Sequence, residues 1–390
     1  MKNVTRVVYV TNARLPTEKA HGLATIKLCE AFADLGVDLE IVAPRLWRDD
    51  DTDVFQFYQV KQNFKVCKIP TLDVGFLIQM FSFSMSAFIY LFLKYYKQRK
   101  EIIFFSHDYI PLYFLTFIFR NTYYDIHHFP GKNFMYRRLM RLAFGFSVQT
   151  RWKIEALNKE WDIPAEKVVY WPNGTDVEKF QIKARQSEAR IWLGLPLEKK
   201  IVLYTGQLFD WKGADTLMRA IPRLSRRAEI YFVGGTPSDV NLLKRSCPEA
   251  NLSNVHFISF RPHQEMPYWM RAADVLVIPN TAKMKVSLYY TSPMKLFEYM
   301  ASGTPMVASD IPSIREIISE DSACLAIPDD PKSFAEKIQF VLDNPDLADE
   351  KAKRALKVGE IYTWQNRADK ILEHMHLTIK IRLNSITREH

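Results

Sequence analysis

The stretch YYTSPMKLFEYMASGTPMVASD (289–310) holds a lone carboxylate, Glu298, three residues after Lys295. Ser292 and Pro293 read as the N-cap and first residue of a helix, and Gly303 as its stop. Lys295 then falls in the first helical turn. A cation there opposes the helix dipole, a placement that makes sense with an anion nearby; a lysine snorkelling off the surface is the ordinary alternative. Lys212 stands just before Gly213 and a helix, in the loop after the apolar run IVLYTG (201–206). Phosphate groups call for cations, for the close approach glycine permits and for helix N-termini. Gly22 opens another helix with no side chain in the way. His107 in FFSHDY and His127 in YYDIHHF end apolar runs. A structural histidine is the plain alternative for each. His128 points away from His127 if the segment is extended, because side chains alternate.

Such residues need strand ends to hold them. VVYVT (7–11) reads as a buried parallel strand, and the helix HGLATIKLCEAFADLG follows, with Leu23, Ile26, Leu28, Ala31, Phe32 and Leu35 at helical spacing. VDLEIVAP (37–44), IIFFSHD (102–108), YYDIHHF (123–129), FSVQT (146–150) and KVVYWPNG (167–174) continue the series. A second cycle runs through KIVLYTG (200–206), EIYFVGG (229–235), NVHFISF (254–260), ADVLVIP (273–279) and PMVASD (305–310). Two successive alternations of strand and helix predict two doubly wound α/β domains. Their expected bounds are 1–173 and 174–361, with a linker near 174–199 and a last helix and tail over 362–390. Ligands in such sheets bind beyond the carboxyl ends of the strands, so the cleft between the domains is the expected site. Asn173-Gly174 reads as turn chemistry and is left out of the site.

With 390 residues there is room for two cores. Cys29, Cys67, Cys247 and Cys324 are scattered, without zinc spacing or a disulfide framework, which fits a reducing cytosol. The opening MKNVTRVVYV has no cleavage pattern. The acidic run Asp49-Asp50-Asp51-Thr52-Asp53 reads as a solvated loop, and no metal site is expected. The net charge of +9 is concentrated: between Lys94 and Lys153 there are eleven Lys/Arg against Glu101, Asp108 and Asp125. Nucleic acid or an anionic membrane surface would suit such a patch, as would a merely solvated basic surface. Residues 74–93 (VGFLIQMFSFSMSAFIYLFL) carry no charge and are long enough to span a bilayer. Gly75, Gln79, Ser82, Ser86, Tyr90, Lys94 and Lys97 nevertheless form one small-to-polar stripe, so a core or surface helix is expected. The neighbouring LKYYKQRK and KNFMYRRLMRLAF would suit a face resting on lipid headgroups.

NGTD at 173–176, GQLFDWKG at 206–213, FVGG at 232–235, AADVLVIP at 272–279 and KLFEYMASGTPMVASD at 295–310 occur in a fixed order. In that order they resemble the family 4 retaining glycosyltransferases. The resemblance covers nearly the whole chain and is densest over 168–345. It implies a GT-B fold: two Rossmann-like domains facing a central cleft, with the last helix, YTWQNRADKILEHM (362–375), crossing back onto the first domain. It implies a nucleotide-diphosphate sugar as donor, a glycan or lipid-linked sugar as acceptor, and neither metal nor cofactor. Lys212 matches the diphosphate lysine. Gln207 stands where relatives carry arginine, and Lys295 is the candidate replacement cation. Gly22 matches a loop that faces the donor phosphates. His127 matches the histidine set near the transferred sugar, and His107 is a candidate on the acceptor side. Glu298 matches the glutamate that binds the donor ribose. A second glutamate is usual eight positions earlier, where this chain has Tyr290, so the sugar contact would pass to the Tyr290 hydroxyl or to N–H groups of Thr291 and Ser292. The expected setting is the cytoplasm, peripheral at the inner face of a membrane through basic residues 94–153, with no nucleic-acid partner. A GT-B nucleotide-sugar 2-epimerase and a non-catalytic sugar-binding subunit are the alternatives, the second kept open by Gln207 and Tyr290.

Overall fold

The computed structural model describes residues 6–47, 49, 52–224, 228–245 and 253–386, with side chains as far as Lys380. Asp50, Asp51, Cys247 and the last residues of the tail lie outside these. The chain divides into unit 1, residues 1–172 with 364–390, and unit 2, residues 173–363.

Unit 1 is built on a seven-stranded sheet in the order β3-β2-β1-β4-β5-β6-β7. The strands are β1 (Arg6–Val10), β2 (Asp38–Arg45), β3 (Lys65–Pro70), β4 (Ile102–Ser106), β5 (Thr122–Ile126), β6 (Gly145–Val148) and β7 (Val168–Tyr170). All pairings are parallel, with Val8 opposite both Glu40 and Phe104. Parallel strands covered by helices on both faces read as near-continuous apolar runs, which is why IIFFS and GFSV are legible. The helix Phe76–Tyr95 buries Phe83, Ala87, Leu91 and Tyr95 in this core. Its polar stripe does not simply face water. Tyr90 and Lys94 donate to Glu40 of β2 at 2.9 and 2.8 Å, and Tyr95 donates to the same carboxylate. What faces outward is apolar. The long helix Trp364–Ile386 belongs to unit 1, where it packs on the helix Ala20–Asp34; His374 bonds the Tyr123 hydroxyl through Nδ1 at 2.6 Å.

Unit 2 has a six-stranded parallel sheet, β10-β9-β8-β11-β12-β13. Its strands are β8 (Lys200–Thr205), β9 (Ala228–Val233), β10 (Val255–Ile258), β11 (Val275–Ile278), β12 (Met306–Ser309) and β13 (Cys324–Ala326). Apolar clusters cover both faces of the sheet. Residues 174–199, expected as a linker, are part of this unit instead. They include the helix Gln186–Leu193, whose Arg190 is buried and donates to Ala272 O and to Asp274 at 2.9 and 2.7 Å. An arginine reads as a surface residue until its carbonyl and carboxylate partners are in place.

In each sheet the chain reverses its direction of winding once, at β1/β4 and at β8/β11. Such a switch point leaves a crevice beyond the strand ends.

Candidate functional site

In unit 2 the end of β8 is opened by glycines. Gly206 follows the strand at φ +107°, and Gly234 follows β9 at φ +115°. A Cβ on Gly234 would sit 2.8 Å from the Gly206 carbonyl oxygen, so the two strand ends close on each other only without side chains. A Cβ on Gly206 would lie 3.8 Å from the Nζ of both Lys212 and Lys295. The two ammonium groups therefore converge on the open side of one glycine.

Each lysine is placed by packing. Lys212 ends the short turn Asp210–Lys212, and Gly213 follows at φ +66° with its missing Cβ pointing 1.8 Å from the Pro279 carbonyl oxygen. That contact locks the loop onto the end of β11. Lys295 belongs to the helix Met294–Ser302, which the Tyr299 hydroxyl ties to Thr205 of β8 at 2.9 Å. The Lys295 ammonium is buried, has no hydrogen-bond partner among the described residues and lies 3.6 Å from the centre of the Tyr204 ring. Tyr204 is held in turn by donating to the Gln207 carbonyl at 2.8 Å. Burial pushes the Lys212 pKa down to about 8, with Glu298 opposing. Burial and the neighbouring Lys212 push Lys295 well below its ordinary value, again against Glu298. A buried ammonium without a hydrogen-bond partner among the described residues, beside a half-buried one, forms an arrangement that an anion would complete.

Glu298 is one turn on from Lys295 and buried, and its Oε1 lies 2.9 Å from Nε2 of His263. Nothing in the spacing of RPHQEM (261–266) marks His263 in the sequence. The helix start differs from expectation. Pro293, not Ser292, is the N-cap, because the Ser292 hydroxyl accepts from Asn173 N at 3.0 Å and its carbonyl from Asn173 Nδ2 at 2.8 Å. Asn173 is thus a brace for this loop. The N–H of Thr291 is committed to Val286 O at 2.9 Å in the π turn Val286–Tyr290, so it offers a sugar no free donor. Tyr290 closes that turn, half-buried.

In unit 1 the end of β5 holds a second cluster. Asp125 is fully buried and accepts from Arg367 Nη2 at 2.9 Å on both oxygens, from Ser147 Oγ at 2.7 Å and from Gln149 Nε2 at 2.8 Å. His127 Nε2 lies 2.9 Å from its Oδ2. Burial alone would raise the Asp125 pKa, but Arg367, His127 and Ser147 together hold it well below the carboxylate range. Burial pushes His127 down to about 4, despite Asp125. His127 is therefore neutral at neutral pH. The ionised Asp125 fixes its proton on Nε2, which leaves Nδ1 as an acceptor for a hydroxyl. Lys153, also buried, donates to Ile126 O and His127 O at 2.7 and 3.0 Å, pinning the backbone there. His107 stacks on His127 with ring centroids 4.9 Å apart, and its Nδ1 lies 2.7 Å from the Tyr9 hydroxyl. His128 follows in a bend, where strand alternation no longer applies.

Gly22 has a structural reason for lacking a side chain. A Cβ there would lie 2.4 Å from Thr17 and 2.5 Å from the Tyr58 hydroxyl, and its N–H already donates to Lys19 O at 3.0 Å. Among the described residues no cluster of three His, Cys, Asp or Glu is placed to hold a metal ion.

Residues 199–344 match the family model described as Glycosyl transferases group 1. The chain is 26% identical over 240 residues to D-inositol 3-phosphate glycosyltransferase of Corynebacterium urealyticum, covering 58% of this chain and 55% of that protein. It spans about half the length of the curated relatives it matches. Among solved structures, sucrose-phosphate synthase of Thermosynechococcus elongatus superposes with TM-score 0.74 over 99% of this chain and 100% of its own, at 18% identity. Anabaena HepE in complex with UDP-glucose gives 0.72 over 94% and 99%, at 15% identity.

Proposed function

We propose that this chain, which carries a Glycosyl transferases group 1 domain over residues 199–344 on a GT-B fold, is a retaining glycosyltransferase. It moves a hexosyl group from a nucleoside-diphosphate sugar to a glycan or lipid-linked acceptor, in cell-surface polysaccharide or glycolipid synthesis. The observation that carries this reading is the convergence of Lys212 and an unpartnered, buried Lys295 on the open side of Gly206. A diphosphate there would supply the missing counter-charge, and the Lys295 ammonium takes the place that Gln207 leaves without a cation. Glu298, its Oε1 already beside His263, accepts the ribose hydroxyls of the donor.

Transfer breaks the bond from the anomeric carbon to the phosphate oxygen, and the electron pair leaves with the diphosphate. Lys212 and Lys295 stabilise the charge that develops there. The acceptor hydroxyl oxygen forms the new bond on the same face, and its proton passes to the departing phosphate oxygen. His127, neutral and open at Nδ1, accepts from a hydroxyl of the transferred sugar and orients it. His107 stands beside it on the acceptor side. No step in this scheme calls on a metal or cofactor. The enzyme works in the cytoplasm, peripheral at the inner face of a membrane.

Saturation-transfer NMR with a panel of nucleotide sugars, beginning with UDP-glucose, tests the reading. Donor binding with slow release of a sugar of unchanged anomeric configuration is expected. An isomerised nucleotide sugar would make it a 2-epimerase. No nucleotide binding at all would make it a non-catalytic sugar-binding subunit, the reading that Tyr290 in place of an acid favours.

A further inference from the structure

The helix Phe76–Tyr95 is long and apolar enough to cross a membrane, yet it is built into unit 1. Phe83, Ala87 and Leu91 lie in the core, and Tyr90, Lys94 and Tyr95 are bonded to Glu40 of β2. To span a bilayer it would have to leave both. Its opposite face is bare. Leu77, Phe81, Met85, Ile89 and Leu93, spaced four apart, are between 40% and 77% exposed. Contiguous apolar surface of this kind on a soluble fold marks an interaction site.

The surroundings say what covers it. This helix packs on Tyr109–Leu115, which packs on the helix Phe134–Leu142, so the three form one layer. Phe117 and Phe134 add exposed rings to that layer. The helix Phe134–Leu142 (FMYRRLMRL) has three arginines and no acid. Arg138 is fixed over the Phe117 ring at 3.9 Å and bonded to Thr116, while Arg137 and Arg141 are exposed. Of the acids in the basic segment 94–153, Asp125 is buried against Arg367, and Asp108 turns inward to Thr11 and Asn12. Among its Lys and Arg residues only Lys153 is buried. The exposed charge is thus still more one-sided than the sequence count.

We propose that this layer is a docking surface for an anionic phospholipid bilayer, with the Phe76–Tyr95 helix lying in the plane of the headgroups and the arginines of Phe134–Leu142 on the phosphates. An apolar stripe rimmed by basic side chains is the signature of an interfacial helix. The inference gives a surface to the membrane location proposed above, but it rests on residues of unit 1 that take no part in donor binding. The two therefore fail separately.

The test is sedimentation of the full chain with vesicles of phosphatidylcholine alone and with added phosphatidylglycerol. Wild type is expected in the pellet with the anionic vesicles and in the supernatant with the neutral ones. The triple substitution Leu77→Gln, Ile89→Gln and Leu93→Gln should weaken partitioning at least roughly tenfold, and Arg137→Glu with Arg141→Glu by roughly 25-fold or more, at about fivefold for each arginine charge lost. Circular dichroism and UDP binding of these exposed-site variants report that they fold. Wild type remaining in the supernatant overturns the proposal. So does vesicle binding undiminished by the triple substitution. Wild-type dimers in sedimentation velocity, lost in the triple variant and without vesicle binding, would assign the face to a second copy instead.

Discussion

Replacing Lys295 by methionine should make the protein more stable and worse at binding nucleotide. The side chains are close in length and shape, so the change is chiefly one of charge. The ammonium is buried, has no hydrogen-bond partner among the described residues, is favoured by the Tyr204 ring and Glu298, and stands beside Lys212. Relieving an uncompensated buried charge is worth on the order of 2–4 kcal/mol. Against this stands the lost cation–π contact, about 1–2 kcal/mol when desolvated. A net gain of about 1–2 kcal/mol corresponds to a rise of roughly 2–8 °C in the melting temperature of a unit this size. The same ammonium, given a diphosphate, makes a charge-assisted bond worth about 1.5–3 kcal/mol. UDP should therefore bind Lys295→Met roughly 10- to 100-fold more weakly. Scanning calorimetry, with and without UDP, and titration calorimetry read the two effects on one sample. If the variant melts several degrees lower and binds UDP within about twofold of wild type, Lys295 is a structural lysine and the reasoning is wrong.

Nucleotide affinity should depend on pH with a defined sign. The Lys212 pKa is pushed down to about 8 in the free protein, and a bound diphosphate would raise it. UDP should then bind most tightly near neutral pH, where its terminal phosphate is fully ionised, and weaken by up to about tenfold per unit above pH 8, with net proton uptake there. Titrations in buffers of different ionisation enthalpy measure this, and Lys212→Met should abolish the Lys212 part of the slope. In unit 1, Asp125→Asn should cost about 3–5 kcal/mol, because it leaves Arg367 buried beside a neutral amide. It should also release the His127 tautomer, visible in the imidazole nitrogen shifts, and lower kcat more than it weakens UDP binding. Stability carried by neutral His127 should fall away as pH drops from the ordinary histidine value through about 4, since its folded pKa lies below its unfolded one. Denaturant titrations across that range check the direction.

Much of the fold could be read because buried parallel strands are unbroken apolar runs, as in IIFFS and VLVI. The edge strand Lys65–Pro70 could not, since its lysines interleave with Val66, Cys67 and Ile69. Glu298 stands out by motif order, Lys295 by a cation's odd place in a first helical turn, and His107 and His127 by their places at strand ends. Their partners do not. Arg367 reaches Asp125 from 242 positions away, and His263 meets Glu298 from the short turn His263–Glu265, whose sequence has no pattern. Asp125 itself was within reach, because strand alternation puts it on the same side as His127. The cap was misplaced because Ser292 has a better partner in Asn173, a contact across more than a hundred residues. Likewise the polar stripe of Phe76–Tyr95 is legible in the sequence, but the bonds of its Tyr90 and Lys94 to Glu40 are not.

The central claim is that unit 2 binds a nucleoside diphosphate through Lys212, Lys295 and Glu298. Calorimetric titration of wild type and Glu298→Gln with UDP and with GDP tests it most directly. Gln keeps the shape of the side chain but exchanges a doubly accepting carboxylate for an amide. At least one nucleotide should bind wild type and lose roughly tenfold or more with the variant. Equal binding to both proteins, or to neither, would contradict the account.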